Sequence, residues 1–415
     1  MMSILKLRYW ILNNGFDYQL ECLIVSIVLI FFLHAQPAIG YEVIDSLQIH
    51  GFFSQGYVIT SDNNFYGKSD DNGTFDFREI GINSSYQPFP YLQFSLQILS
   101  RFAGEVDDGD LRLDYGTIDW TLVDRDTTQW GLRLGRGKVP FGLYNETRDV
   151  AFTRPSIFLS QSIYFDRTRD LAISADGLYL YGEYRTDRGN FFLKLAGGRP
   201  KVKDKEIENS FLGTNFPGHL DSDEAYSEQL IYEYNNGLIR LALTGTQLNI
   251  FYDPSLSSPV DIDSGSIRFK PYIISAQFNQ EKWSLSAEYA LRRIEYKNFR
   301  FPAEINRTIE GESYYIQGTH RLCKDLSAVA RYDILYTNKD DRNGKESERK
   351  GHPYYSFFAK DLTFGLRWDI TRSLMLQGEY HYVNGTAWLA TGDNSDLYET
   401  QRYWSLFAIL LSYYF

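Results

Sequence analysis

The stretch "SLFAILLSYYF", residues 405–415, decides how the rest of the chain is read. Phe407, Ile409, Leu411, Tyr413 and Phe415 recur at every second position, and Leu406 and Leu410 add apolar groups to the opposite parity. A period of two belongs to an extended strand, whose successive side chains point to opposite faces. A solvated tail has no reason to carry large apolar groups on either face, so this strand is expected to pair and pack.

The same period recurs along the chain. In "YLQFSLQI", Leu92, Phe94, Leu96 and Ile98 alternate with Gln93, Ser95 and Gln97. "WSLSAEYALR" sets Trp283, Leu285, Ala287, Tyr289 and Leu291 against Ser284, Ser286, Glu288 and Arg292. About sixteen such segments can be drawn, near 47–59, 76–87, 91–103, 111–123, 128–137, 171–185, 189–198, 227–235, 238–248, 266–278, 283–297, 312–321, 326–336, 359–369, 374–384 and 402–415. Each has roughly the length of a tilted strand that crosses a bilayer. No convincing helix and no low-complexity linker separates them, so residues 41–415 read as one domain.

The connections alternate in length. Tight ones are "QPFP" at 87–90, "DRDT" at 124–127, "TDRG" at 186–189, "NNG" at 235–237, "NQEK" at 279–282, "CKD" at 323–325 and "DITRS" at 369–373. Asn-Gly is a strong hairpin signal, because both central positions of a tight hairpin turn want positive φ. Between them run long polar connections at 60–75, 104–110, 138–170, 199–226, 249–265, 298–311, 337–358 and 385–401. Short turns on one side and long loops on the other are the pattern of a transmembrane barrel. Hydrocarbon offers no hydrogen-bond partner, so a spanning sheet must close and leave no edge. The expected fold is therefore all-β: a 16-stranded antiparallel transmembrane β-barrel, apolar parity toward lipid and charged parity toward water inside. A soluble sandwich would invert that alternation.

Composition agrees. There are 32 Tyr and 29 Phe but only 2 Cys and 3 Met, and the mean hydropathy is -0.35. The one strongly apolar run, Cys22–Leu33, is too short for a comfortable spanning helix. It follows Lys6 and Arg8 and precedes small Ala38 and Gly40, so residues 1–40 are read as a signal peptide. A net charge of -11 argues against a nucleic-acid partner. Only Cys323 would survive processing, which excludes an intrachain disulfide. No cofactor or metal motif is present.

"GRGKVPFGLYNETRDVAFTRPSI", Gly135 to Ile157, with "DGLYLYGEY" at 176–184, resembles the bacterial outer-membrane porin superfamily, in particular its phosphate-selective members and related porins. The resemblance implies that the long third loop, 138–170, folds inward and narrows a water-filled channel for small polar or anionic solutes. It also implies a homotrimer, with apolar residues on both parities of 402–415 in weak agreement, and an outer-membrane setting among lipid and lipopolysaccharide. Candidate constriction residues in the loop are Lys138, Glu146, Arg148, Asp149, Arg154, Asp166, Arg167 and Arg169. On the polar parity of the wall they are Arg112, Asp114, Arg133, Glu288, Arg292, Arg331, Asp333, Arg367 and Glu379. Opposed charges at a narrow aqueous passage orient polar solutes and filter ions. The competing reading is that some of them pair only to hold the loop. Acids interspersed among the arginines put phosphate selectivity in question. Tyr413 and Phe415 resemble a terminal signature read during barrel assembly.

Two other classes compete. A barrel-embedded hydrolase needs a nucleophile beside a base; His320 near Thr319 and His381 near Glu379 are the best available. A surface receptor or adhesin would use its charged loops, such as "NKDDRNGKESERK", and pass little current.

Overall fold

A computed structural model describes residues 41–44, 46–202, 204–213, 218–254, 265–301 and 303–415. The expected signal peptide, 1–40, lies outside the described residues. Among the described residues seventeen strands form: β1(Tyr41–Ile44), β2(Leu47–Thr60), β3(Thr74–Phe89), β4(Leu92–Ala103), β5(Asp108–Arg125), β6(Thr128–Lys138), β7(Ser174–Thr186), β8(Gly189–Pro200), β9(His219–Tyr234), β10(Ile239–Asp253), β11(Gly265–Asn279), β12(Trp283–Phe301), β13(Ala303–Arg321), β14(Leu326–Tyr336), β15(Phe358–Asp369), β16(Leu374–Gly385) and β17(Tyr403–Tyr414). Strands β2 to β17 each pair antiparallel with the next, and β17 returns to β2 with Ile409 opposite Tyr57 and Leu411 opposite Gln55. The sheet is thus a closed barrel of sixteen strands. The short β1 only extends the sheet, with Tyr41 opposite Ile49.

The outer face is the apolar parity. Ile82, Leu96, Leu134, Leu243, Ile316 and Phe364 are all exposed on it. Burying such a belt in a soluble protein would need a second layer, whereas a bilayer covers it directly. The tight turns behave as their sequences ask: Asn235 and Asn236 take φ of 46° and 54° in the Asn-Asn-Gly hairpin.

Three expectations need correction. The connection at 298–311 is not a loop, since β12 and β13 run on to Phe301 and from Ala303 as a tall two-stranded ribbon. For the same reason β9 starts at His219 and β10 runs to Asp253, shortening the loops drawn at 199–226 and 249–265. Above the bilayer both faces of a strand meet water or loops, so the apolar alternation fades while the hydrogen-bonded ladder continues. The third concerns helices: Lys205–Leu212 is one, its N-cap Asp204 accepting from the amides of Glu206 and Ile207. Residues 171–173 are likewise helical and not the start of β7.

The double apolarity of the last strand has an internal explanation. Its inward residues Leu406, Ala408 and Leu410 are buried in a cluster with Val58, Phe65, Phe158, Trp388 and Trp404. Loop side chains inside the barrel cover that parity, and no neighbouring subunit is needed to explain it. Phe415 follows β17 and is 43 % exposed.

Candidate functional site

The third loop, L3 (139–173), leaves β6 through the motif that carries the family resemblance. Its first and last glycines, Gly135 and Gly142, have φ of +114° and +60°, conformations that L side chains rarely adopt. The space a Cβ would need at Gly142 is taken by the Tyr164 hydroxyl and the Glu288 carboxylate.

L3 then touches strands all round the ring. The Ser227 hydroxyl of β9 donates to the Pro140 carbonyl at 2.7 Å, and Gln229 Nε2 to Gly142 at 2.8 Å. Arg331 of β14 donates to the Phe158 carbonyl at 3.0 Å, and Arg367 of β15 to the Phe152 carbonyl at 2.9 Å. Glu379 of β16 accepts from the Ile157 amide at 2.6 Å, while Arg154 donates to Glu79 of β3 at 2.7 and 2.9 Å. One segment can reach all these strands only through the lumen.

The charges predicted for L3 are brought together, largely with one another. Arg148 donates to Asp166 at 3.0 Å, and Arg101 of β4 reaches the same carboxylate at 3.3 Å. Lys138 sits between Asp114 and Asp149, and Arg169 closes on Asp149. Arg101 also pairs with Asp107, whose oxygens receive both arms of Arg112 at 2.8 Å. Burial pushes the Asp166 carboxyl up, but Arg101 and Arg148 outweigh it and hold it below its ordinary value. The cluster is therefore an almost balanced, buried network that anchors L3.

The wall acids are latches too. Glu288 accepts from Tyr164 at 2.5 Å, Ser275 at 2.6 Å, Tyr315 at 2.8 Å and the Leu143 amide at 3.0 Å. Arg292 stacks 4.8 Å over Phe165, and Asp333 faces Ser160 and Ser162. Arg167 donates to the Ala387 and Leu389 carbonyls of the eighth loop. Two predicted residues stand apart from L3's core: Arg133 pairs with Asp119 at 2.8 Å, and Glu146 reaches out to half-exposed Lys194 of β8. Sequence reading missed Glu79 and Arg101, although both sit on the charged parity of predicted strands. Tyr66, whose hydroxyl donates to Asp166, carried no signal at all.

Below L3, on the short-turn side, lies a cavity of about 400 Å³. Phe152 to Ile157 form its roof, and Gln277, Gln317, Gln377, Thr319 and Arg367 line its wall, with Arg321 and Lys324 at the rim. Neither rim cation has a carboxylate partner among the described residues, and Gln377 Oε1 is buried without a hydrogen bond.

Above L3 the eighth loop, L8 (386–402), crosses the mouth. It joins β16 to β17, half the ring away from the β8–β9 loop that carries helix Lys205–Leu212. Yet Glu206 of that helix accepts from the Thr391 amide at 2.9 Å, the Thr391 hydroxyl at 2.6 Å and the Gly392 amide at 3.1 Å. On the near side Asp393 Oδ1 accepts from the amides of Gly67 and Glu105 at 3.0 and 3.1 Å. Burial pushes the Asp393 carboxyl up to about 6, against the pull of those two amides.

No family model matches the chain, and no curated protein is detectably similar in sequence. Solved structures do match. Outer-membrane-expressed OmpT of Vibrio cholerae superposes with a TM-score of 0.56 at 10 % identity, over 91 % of this chain and 100 % of that one. The anion-selective porin from Comamonas acidovorans gives 0.55 at 12 %, over 89 % and 99 %. The outer-membrane channel DcaP of Acinetobacter baumannii gives 0.52 at 13 %, over 91 % and 100 %. At these identities the likeness is one of fold. Together with the closed edge and the apolar belt, it shows a closed sixteen-stranded antiparallel barrel of the fold found in these outer-membrane proteins.

Proposed function

We propose that the chain is an outer-membrane porin, a passive channel for small polar solutes with a preference for anions. The observation that supports this most is the division of the lumen. L3 crosses it on a self-balanced charge network, and beneath it opens a polar vestibule whose rim cations Arg321 and Lys324 lack acidic partners. A low-dielectric wall focuses such charge onto passing ions. Phosphate selectivity finds no specific support, since the arginines near L3 are mostly paired with acids. Trimeric assembly belongs to the same proposal, as does a role for Tyr413 and Phe415 in assembly.

The proposal includes no catalysis. His381 Nδ1 lies 2.7 Å from Asp361 and 3.2 Å from the Thr363 hydroxyl, while Nε2 faces Glu379 at 3.1 Å. A carboxylate faces each ring nitrogen, so neither is left free to take a proton from the Thr363 hydroxyl, and this histidine is placed to brace strands. Planar-bilayer recording in a potassium chloride gradient tests the proposal. The expected result is single-channel steps with a reversal potential on the chloride side. A folded chain that passes no current would instead favour a receptor mount.

A further inference from the structure

The outer wall carries one concentrated positive patch. On the outward parity of β11 and β12, Arg268, Lys270, Arg293 and Lys297 approach a single carboxylate, Glu295, at 3.7, 3.5, 3.0 and 3.7 Å. The register sets Arg268 opposite Glu295 and Lys270 opposite Arg293, so all five share one face of two adjacent strands. Like charges directly opposite destabilise a strand pair. Four cations against one carboxylate also leave three positive charges over, on a chain of net charge -11.

Among the described residues the neighbours do not absorb that excess. On β13, Glu310 stands opposite Arg293 and Glu312 opposite Leu291, but Lys339 and Arg342 already pair with them. On β10, Asn249 offers Arg268 only an amide oxygen at 3.2 Å. The cationic side chains are 21–48 % exposed and free to meet a ligand.

The patch has a defined height. The next outward pair toward the turns is Tyr272 with Leu291, followed by Ile274 with Tyr289, and Tyr314 lies beside Tyr289. Tyr272, Ile274, Tyr289 and Tyr314 are exposed members of the lipid-facing belt. Same-face residues on a strand recur about every 7 Å, so the cations stand about one step outside the loop-side tyrosines. Tyrosines of such a girdle mark the headgroup level, and long loops mark the external side.

We propose that this patch binds the phosphorylated headgroup of an outer-leaflet lipid. The phosphate oxygens meet Lys270, Arg293 and Lys297, and the acyl chains lie along Tyr272, Ile274 and Leu291. A lipid is favoured over a free anion because the patch faces away from the lumen and is continuous with the apolar belt. The inference rests on the barrel standing in a membrane with its long loops outward, and it does not require conduction.

Native mass spectrometry of the full chain, folded in detergent with added diphosphoryl lipid A, tests it. The double variant Arg293→Gln with Lys297→Gln is compared with Lys345→Gln and Lys350→Gln, an equal charge change on an external loop. Each basic side chain near an anionic lipid headgroup contributes about fivefold, so the patch variant should bind roughly 25-fold more weakly. The loop variant should match the unmodified protein. Should the patch variant fail to fold, Lys270→Gln alone should weaken binding about fivefold. Equal retention by the patch and loop variants overturns the proposal, as does displacement of lipid A by millimolar inorganic phosphate. Chloride current measured on the same samples keeps the two readings apart. A chain that holds lipid A through these residues but passes no current supports the lipid site and refutes the channel.

Discussion

L3 crosses the lumen and L8 crosses the mouth above it, and they are held by different chemistry. L3 is pinned by buried charge: Arg154 on Glu79, Arg148 on Asp166, and four donors converging on Glu288. The base of L8 is buried as well, with Trp388 packed beside Phe65 and the Ala387 and Leu389 carbonyls on Arg167, but its tip is held by single acceptors, Glu206 across the mouth and Asp393 on the near side, each receiving backbone amides. Removing one partner of a buried ion pair strands a charge, whereas Glu206, though itself buried, serves half-buried Thr391 and exposed Gly392, whose amides solvent can reach when it is removed. The lesson is that L3 and the buried base of L8, Ala387–Ala390, behave as part of the wall, while the tip of L8 at 391–393 is a roof that can lift.

Breaking L3 should have the largest effect. Glu79→Ala leaves Arg154 without its carboxylate and should cost about 3–5 kcal/mol, seen as an earlier transition in denaturant unfolding from detergent. A loss below about 1 kcal/mol would show that water reaches the pair and that L3 is not pinned. Glu288→Gln keeps the shape but offers fewer acceptors to three hydroxyls and one amide. It should cost about 1–3 kcal/mol and make the open-channel current noisier.

Releasing the tip of L8 should barely touch stability while changing the current. Glu206→Ala should lose about 1 kcal/mol or less and raise single-channel conductance. Unchanged conductance would mean that the roof does not limit flow and would erase the contrast between the loops. The smallest effect is one of pH. A carboxyl held above its unfolded value binds its proton more tightly when folded, so its contribution is full below that value and fades as pH rises through about 6. Stability toward denaturant in detergent should therefore fall slightly between about pH 5 and 7, and Asp393→Asn should flatten that part of the dependence.

How much of this was legible depends on whether a residue's environment is set locally. Parity placed Arg331, Glu288 and Glu379 inside correctly, because a strand has only two faces and lipid rejects charge on one of them. It could not say that the three serve as anchors for Ile157, Phe158 and Tyr164, partners more than a hundred residues away. The helix Lys205–Leu212 was missed although Asp204, Glu206 and Glu208 mark its start, since eight residues carry too little periodicity to stand out. The ribbon at 298–311 was missed because nothing beyond the bilayer enforces alternation.

What the sequence determined by itself is the barrel: its strands, its even number, its apolar outside and the order of short turns and long loops. A bilayer imposes one repeating constraint on every spanning residue, and a repeating constraint is written as a period. What only the tertiary structure decided is the content of the lumen and the roof over it. Closing the ring brings β3 to L3 and sets Thr391 against Glu206 from half the circumference away. Such pairings depend on distances across the barrel, and no local pattern of residues encodes a distance of that kind.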